Sequence, residues 1–388
     1  MNNLEEIIRR EIAAQGAIPF ARFMDLALYH PEHGYYERTS RLIGRRGDYF
    51  TSVSVGGVFG ELLAFQFARW LEEEFKVQSP ESEPDGAARP FQIVEAGAHD
   101  GRLAADILGW LRCQRPELLA RIEYWIVEPS PRRRDWQRES LTGFAGKVRW
   151  LSALPTLGVA PHFQSVRGVV FANELLDALP VHRLGWDARA RRWFEWGVGV
   201  QQDRLVWQQL AAISSAVQRE PLAGLPGCDR LEELPLDLLA VLPDGFTVEV
   251  CPQAIEWWRT AARALERGWL VTVDYGLTAE EFFRPERPGG TARAYCQHRS
   301  SVDLLGRPGE QDLTAHVNFA ALQAAGEAAG LRTEGVFAQG PFLAHTLRQA
   351  AESGQSLGVW TPERTRQLQT LLHPDHLGRA FRVLVQTR

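Results

Sequence analysis

Residues 91–108, FQIVEAGAHDGRLAADIL, constrain the fold more than any other stretch of this chain. A short apolar run, Phe91, Ile93 and Val94, ends in Glu95. A turn containing Gly97 and Gly101 follows, and the helical spacing Leu103, Ile107, Leu108 begins directly after it. Strand, glycine turn and helix in that order are how an open parallel sheet brings its main chain close to a nucleotide. Glycine suits the turn because a Cβ hinders both a positive φ and the approach of a ligand. Two glycines in a strand-to-helix turn are common, so the assignment depends on what lies downstream.

Downstream, strand and helix alternate. Strand patterns fall at 91–96, 124–129, 168–173 and 268–274, and helical ones at 102–113, 131–140 and 252–267. This predicts an α/β fold, a parallel sheet with helices on both faces. Ahead of it, Leu4, Ile7, Ile8 and Ile12 share one helix face, and a second helical pattern runs from Phe23 to Leu28. A tract dense in Gly, Tyr and charge (29–52) and a long helix near 57–76 come next. VQSPESEPDGAARP then reads as a disordered surface loop. Residues 182–208 alternate apolar and polar side chains, which predicts an antiparallel hairpin within an insertion spanning about 182–245. Residues 277–313 are rich in Pro, Gly and Arg and read as a long loop over an active site, and FRVLVQTR as a final strand. The expected division is an N-terminal helical segment, 1–90, followed by the main domain, 91–388.

Composition removes several classes of function. A chain of 388 residues can bury a large core. The net charge of −5 and pI near 6.1 argue against a general nucleic-acid binder. No apolar run approaches the roughly 18–20 residues of a membrane span, so membrane insertion is not expected. The N-terminus has no signal-peptide core and is too acidic for a transit peptide. Cys113, Cys228, Cys251 and Cys296 form no C-x-x-C pair, which indicates neither a disulfide framework nor a zinc site. Cys296 and His298 read as a plain loop, and no metal is expected. These features together predict a reduced, cytoplasmic protein. They leave the oligomeric state open.

The strand YWIVEPSP ends in Glu128, one helix, one loop and one strand after Gly97. An acid at the tip of the neighbouring strand sits where a nucleoside ribose lies and accepts from its hydroxyls. Glycine turn and acid together favour an adenosine-containing cofactor. A dinucleotide fold wants G-x-G-x-x-G with a helix N-terminus facing the pyrophosphate. Here Asp100 would put negative charge beside that pyrophosphate, and Glu95 is equally awkward next to phosphates. Both suit a cofactor with a cationic amino-acid end, so the electrostatics favour S-adenosylmethionine over NAD.

VVFANELLDALPVHRL (169–184) holds the next cluster, Asn173, Glu174 and Asp177 before Pro180. Side chains at the carboxyl end of this strand face the ligand crevice. If residues 174–179 turn helically, Glu174 and Asp177 share a face at i, i+3. Two carboxylates there could grip a guanidinium, whose planar fork pairs well with carboxylates. Ordinary surface acids at the start of a helix are the competing reading.

With these segments in hand, the chain resembles the MidA-like family of class I S-adenosylmethionine-dependent methyltransferases, relatives of the mitochondrial assembly-factor methyltransferase of respiratory complex I. IPFARFMDLALYHPEHGYY, GRRGDYFTS, VEAGAHDGRLAADIL, FANELLDALPVHRL, VDYG, GTARAYCQHR and GEQDLTAHVNF carry the resemblance, in order, across most of the chain. The resemblance implies a Rossmann-like, mostly parallel seven-stranded sheet with an antiparallel terminal hairpin. It also implies methyl transfer to a protein, with arginine as acceptor and a respiratory-complex subunit as a candidate partner. By position, Glu95, Gly97, Ala98, His99 and Gly101 would form the cofactor turn, and Glu128 the ribose contact. Asn173 and Glu174 would face the methionine end or the acceptor, and Asp48 in GRRGDYFTS would close over the pocket. Glu174 and Asp177, with Asp48, are the candidates to orient the acceptor and take its proton.

One departure stands out. The family's turn reads Glu-x-Gly-Pro-Gly-x-Gly, and here Ala98 and His99 replace Pro-Gly. A positive φ at His99 would cost about 1 kcal/mol or somewhat more. A competing reading is therefore a non-catalytic methyltransferase-like scaffold with a degraded cofactor site, for which the 13 tryptophans could supply an interface.

Overall fold

The computed structural model describes residues 3–38, 51–77, 89–155, 165–218, 233–296 and 299–388. The chain divides into two interleaved compact units. The first comprises 1–49, 176–258 and 275–325, the second 50–175, 259–274 and 326–388. Each unit is assembled from three stretches of sequence, whereas the sequence reading cuts the chain once, at residue 90.

The second unit carries a sheet in the order Arg332–Ala338, Phe381–Thr387, Leu265–Leu277, Val166–Asn173, Phe91–Ala96, Ile122–Val127, Val148–Leu151. Pairing is parallel from Leu265–Leu277 through to Val148–Leu151. The pair Arg332–Ala338 and Phe381–Thr387 is antiparallel. Phe91–Ala96 is buried at all six positions, Gln92 and Glu95 included, as expected of a strand covered on both faces. Helices Val58–Val77, Arg102–Gln114 and Pro131–Ser140 belong to this unit. The expected seven-stranded, mostly parallel sheet is therefore met in outline only. Gly276 and Leu277, at the end of Leu265–Leu277 and already inside the first unit, pair with the short strand Val317–Asn318, and the sheet is mixed. Val148–Leu151 escapes sequence reading because four residues are too few to show a period.

Strand order decides where a ligand can sit. The chain runs outward from Phe91–Ala96 in one direction, then returns through Val166–Asn173 in the other. The reversal between these two neighbours opens a crevice at their carboxyl ends. The segments that begin there are 97–101 and 173–174.

In the first unit, an antiparallel sheet runs Ile18–Pro19, Arg192–Gln201, His182–Asp187, Thr247–Val250, with Arg204–Gln209 on the outer side of Arg192–Gln201. The expected hairpin is thus a larger sheet that also takes in two residues from the N-terminal segment. Leu4, Ile8 and Ile12 of the helix Asn3–Gln15 pack with Phe20, Phe23 and Met24. Trp186 and Trp193 are buried with Phe246 and Val248. Those tryptophans are core, which removes them as candidates for a docking face. The expected loop at 277–313 holds three short strands, Arg293–Cys296, Arg299–Ser301 and Asp312–Thr314, paired antiparallel. Short strands among prolines and arginines leave too little alternation to be read from sequence.

Candidate cofactor site

The turn after Phe91–Ala96 is left-handed at three of five positions, with φ of 77° at Gly97, 45° at His99 and 82° at Gly101. The Gly101 N–H donates to the Ala98 carbonyl at 2.7 Å, closing the turn. A Cβ on Gly97 would stand 2.9 Å from Leu175 Cδ1, so glycine is required there by space as well as by φ. His99 carries the strain that its place in the turn implies. Its carbonyl accepts from Gln137 Nε2 at 3.1 Å, and its ring lies 6.1 Å from that of Trp136.

Asp100 accepts from the Arg102 N–H at 3.2 Å, at the N-terminus of the helix Arg102–Gln114. The carboxylate therefore occupies the helix end that a pyrophosphate would need, and this sets aside the dinucleotide reading.

Glu95 is 2% exposed and accepts a 2.6 Å bond from the Tyr124 hydroxyl. Burial lifts its carboxyl to about 8, against the lowering effect of Tyr124 and with a further push from Asp100. Tyr124 is raised as well, first by burial and then by Glu95. A buried acid of this kind is short of positive charge, and a cation brought beside it would restore its ionisation.

Glu128 directly follows the neighbouring strand and is also 2% exposed. Its Oε1 accepts from the Ser130 N–H and from Arg133 Nε, both at 2.9 Å, while Oε2 receives a long 3.4 Å bond from Gln137. A carboxylate offers about four acceptor positions, so Oε2 keeps capacity for a hydroxyl.

At the end of Val166–Asn173, Asn173 is buried and its Oδ1 has no hydrogen-bond partner among the described residues. Its Nδ2 donates to Glu174 Oε1 at 3.2 Å, and the Ser52 N–H donates to the same oxygen at 2.9 Å. Ser52 Oγ in turn donates to Gln339 Oε1 at 3.0 Å. The Glu174 N–H continues the ladder to the Val273 carbonyl, but its φ of 50° turns the chain out of the strand.

The expected helical turn over 174–179 is not formed. Glu174 is left-handed, and only a turn closed by Leu179 N–H to the Leu176 carbonyl follows. Glu174 and Asp177 therefore share no helix face. Asp177 belongs to the first unit, where it is buried and its carbonyl accepts from the Ala315 N–H. Asp48 lies outside the described residues, as do Cys228 and His298.

Sequence reasoning missed Tyr124, Gln137, Ser52 and Gln339. Tyr124 could have been found, since it stands on the same strand as Glu128 and pairs in register with Ile93. Gln137 sits in a helix almost devoid of apolar residues, where nothing in the pattern marks one glutamine as buried.

The residues present fit a nucleoside carrying a cationic amino acid. The left-handed turn lets main chain approach it, Glu128 suits the ribose, and Glu95 with the orphaned Asn173 Oδ1 suits the positive end. No group of three or more His, Cys, Asp or Glu among the described residues could hold a metal ion. No helix among them is long and apolar enough to cross a membrane.

Fold and site thus define an α/β protein built around S-adenosylmethionine. Residues 66–337 match the family described as "Putative S-adenosyl-L-methionine-dependent methyltransferase", and the chain belongs to that family. It is an enzyme of that class, with S-adenosylmethionine as its cofactor. A Drosophila melanogaster relative named protein arginine methyltransferase NDUFAF7 homolog, mitochondrial, is 27% identical over 98% of this chain and 84% of its own length. The Homo sapiens protein of that name is 28% identical over 87% and 70%. A Burkholderia thailandensis protein solved with S-adenosyl-homocysteine superposes with a TM-score of 0.80 at 30% identity, over 99% of this chain and 92% of that one.

The relatives also correct the expected compartment. Those from Drosophila melanogaster, Xenopus laevis and Homo sapiens are named as mitochondrial, so the cytoplasmic expectation does not stand. A lack of C-x-x-C pairs in the sequence does not single out the cytosol.

Proposed function

We propose that this methyltransferase acts on the guanidinium of an arginine in a partner protein. The observation that carries the reading is Glu174, a carboxylate fixed at the switch point by the Ser52 N–H and Asn173. The names of the relatives, protein arginine methyltransferases, support the same acceptor.

When bound, S-adenosylmethionine supplies a methyl group already activated on a sulfonium. What remains for the protein is alignment, worth roughly 7–11 kcal/mol of barrier in favourable cases, and handling of a proton. An arginine with a pKa above about 12 has no free lone pair, so a carboxylate must orient the guanidinium and take its proton as the new N–C bond forms. Glu174 is assigned that work, with Asp177 and Asp48 as further candidates. Gly97, Ala98, His99 and Gly101 hold the cofactor by main chain, Glu128 holds the ribose, and Glu95 and Asn173 meet the cationic end. The finer reading of the fold is a class I sheet of seven strands whose terminal pair is antiparallel.

The test is transfer of labelled methyl from S-adenosylmethionine to candidate proteins, followed by hydrolysis and identification of the methylated amino acid. Candidates are sought first among proteins of the relatives' compartment, respiratory-complex subunits included. Methylarginine in a defined acceptor is the expected product. Label recovered only on lysine, carboxylate or a small molecule would overturn the arginine assignment.

A further inference from the structure

Gln137 is the one buried residue of the helix Pro131–Ser140, and it is fully buried. Its neighbours Arg132, Asp135 and Arg138 are exposed, so the one side chain this helix buries is a polar one. All of its side-chain polar atoms are engaged. Trp150 Nε1 donates to Oε1 at 3.0 Å, while Nε2 donates to the His99 carbonyl at 3.1 Å and to Glu128 Oε2 at 3.4 Å. An indole N–H can only donate, so the carboxamide oxygen has to face Trp150 and both amino hydrogens are left for acceptors. The main chain takes part as well, since a Cβ on Gly101 would stand 3.3 Å from Gln137 Cα.

We propose that Gln137 is a positioning residue for the cofactor. One amino hydrogen holds the strained peptide that follows His99, and the other turns Glu128 so that its free acceptor capacity meets the ribose hydroxyls. Gln137 thus bonds both the glycine turn and the acid of the neighbouring strand. The left-handed His99 makes such a link useful, because a side chain in that region persists only when its surroundings hold it. Trp150 is the third member of the device, since it fixes which way the amide points.

The inference rests on the assignment of Glu128 to the ribose, and the experiment separates the two. Binding of S-adenosylhomocysteine and of its 2′-deoxy analogue is measured calorimetrically on the full chain, for wild type, Gln137→Met, Gln137→Asn and Glu128→Gln. Thermal unfolding reports whether each variant is folded. Loss of hydrogen bonds to a charged group predicts about tenfold to a hundredfold weaker binding of S-adenosylhomocysteine to Gln137→Met. The 2′-deoxy analogue should lose markedly less. Equal losses for both ligands would make Gln137 merely structural, and unchanged binding would overturn the proposal outright. Gln137→Asn keeps a buried carboxamide that falls short of both acceptors, and it carries the same comparison if the methionine variant does not fold. If Glu128→Gln binds S-adenosylhomocysteine as wild type does, the ribose assignment fails and the role of Gln137 with it. If Glu128→Gln weakens binding and the Gln137 variants do not, only the positioning role fails.

Discussion

Two adjacent strands end in opposite ways. Phe91–Ala96 runs into a turn made of main chain, where glycines give room and the side chains of Ala98 and His99 are incidental to the approach. Val166–Asn173 runs into side chains, where Asn173 and Glu174 are held by one another and by Ser52. Both ends contain a left-handed residue that is not glycine, His99 at φ 45° and Glu174 at φ 50°. The first is the end proposed to hold the cofactor by main chain, and substitution there should act on binding. The second aims a carboxylate, and substitution there should act on turnover.

The largest expected effect breaks the second end. Glu174→Gln should lower turnover by about a hundredfold to ten-thousandfold while S-adenosylmethionine affinity stays within a few fold, read from single-turnover transfer beside calorimetry. Turnover near the wild-type rate would remove Glu174 from the chemistry. The next breaks the first end. Gly97→Ala forces a Cβ into a left-handed position and against Leu175, at a cost of about 1–3 kcal/mol, seen as a lower Tm and weaker S-adenosylhomocysteine binding.

A third outcome concerns pH. Glu95 titrates near 8 in the fold against an ordinary value of 4.5, so the folded state holds a proton that the unfolded state has released. Its contribution to stability is complete below about 4.5 and is lost as pH rises to about 8, at no more than about 1.4 kcal/mol per pH unit. Glu95→Gln should flatten that slope in denaturant titrations from pH 5 to pH 8. In the wild type, cofactor binding at pH 7 should release about one proton, measured from binding enthalpies in buffers of different ionisation enthalpy. The smallest effect sharpens the contrast at His99. His99→Gly relieves the left-handed strain but loosens the unfolded chain, so Tm should move by the equivalent of about 1 kcal/mol at most. His99→Ala should be the less stable of the two.

What could be read beforehand follows the same division. The strand, turn and helix at 91–114 are local, so glycine spacing and apolar period reveal them, and even the strain at His99 follows from its place in the turn. At 174–179 a helical turn is one option, because N-E-L-L-D-A-L has a helical period, yet the Glu174 N–H still belongs to the strand ladder and its φ is left-handed, so no helix starts there. Gln137 and Gln339 were hidden for a related reason. Each is a polar residue with at least one partner from distant sequence, and no local pattern announces a partner 38 or 287 positions away.

The position of the last strand bears on how the chain is made. Phe381–Thr387 is not at the margin of its sheet but lies between Arg332–Ala338 and Leu265–Leu277, and Arg388 exchanges main-chain hydrogen bonds with Gly268 in both directions. A ribosome delivers that strand after every other strand of the same sheet. Until then Leu265–Leu277 presents an unpaired margin, the kind of surface that recruits other chains. Deletion of residues 381–388 should therefore leave a sheet that is sticky rather than merely shorter, and newly synthesised chains should depend on chaperones that shield such margins.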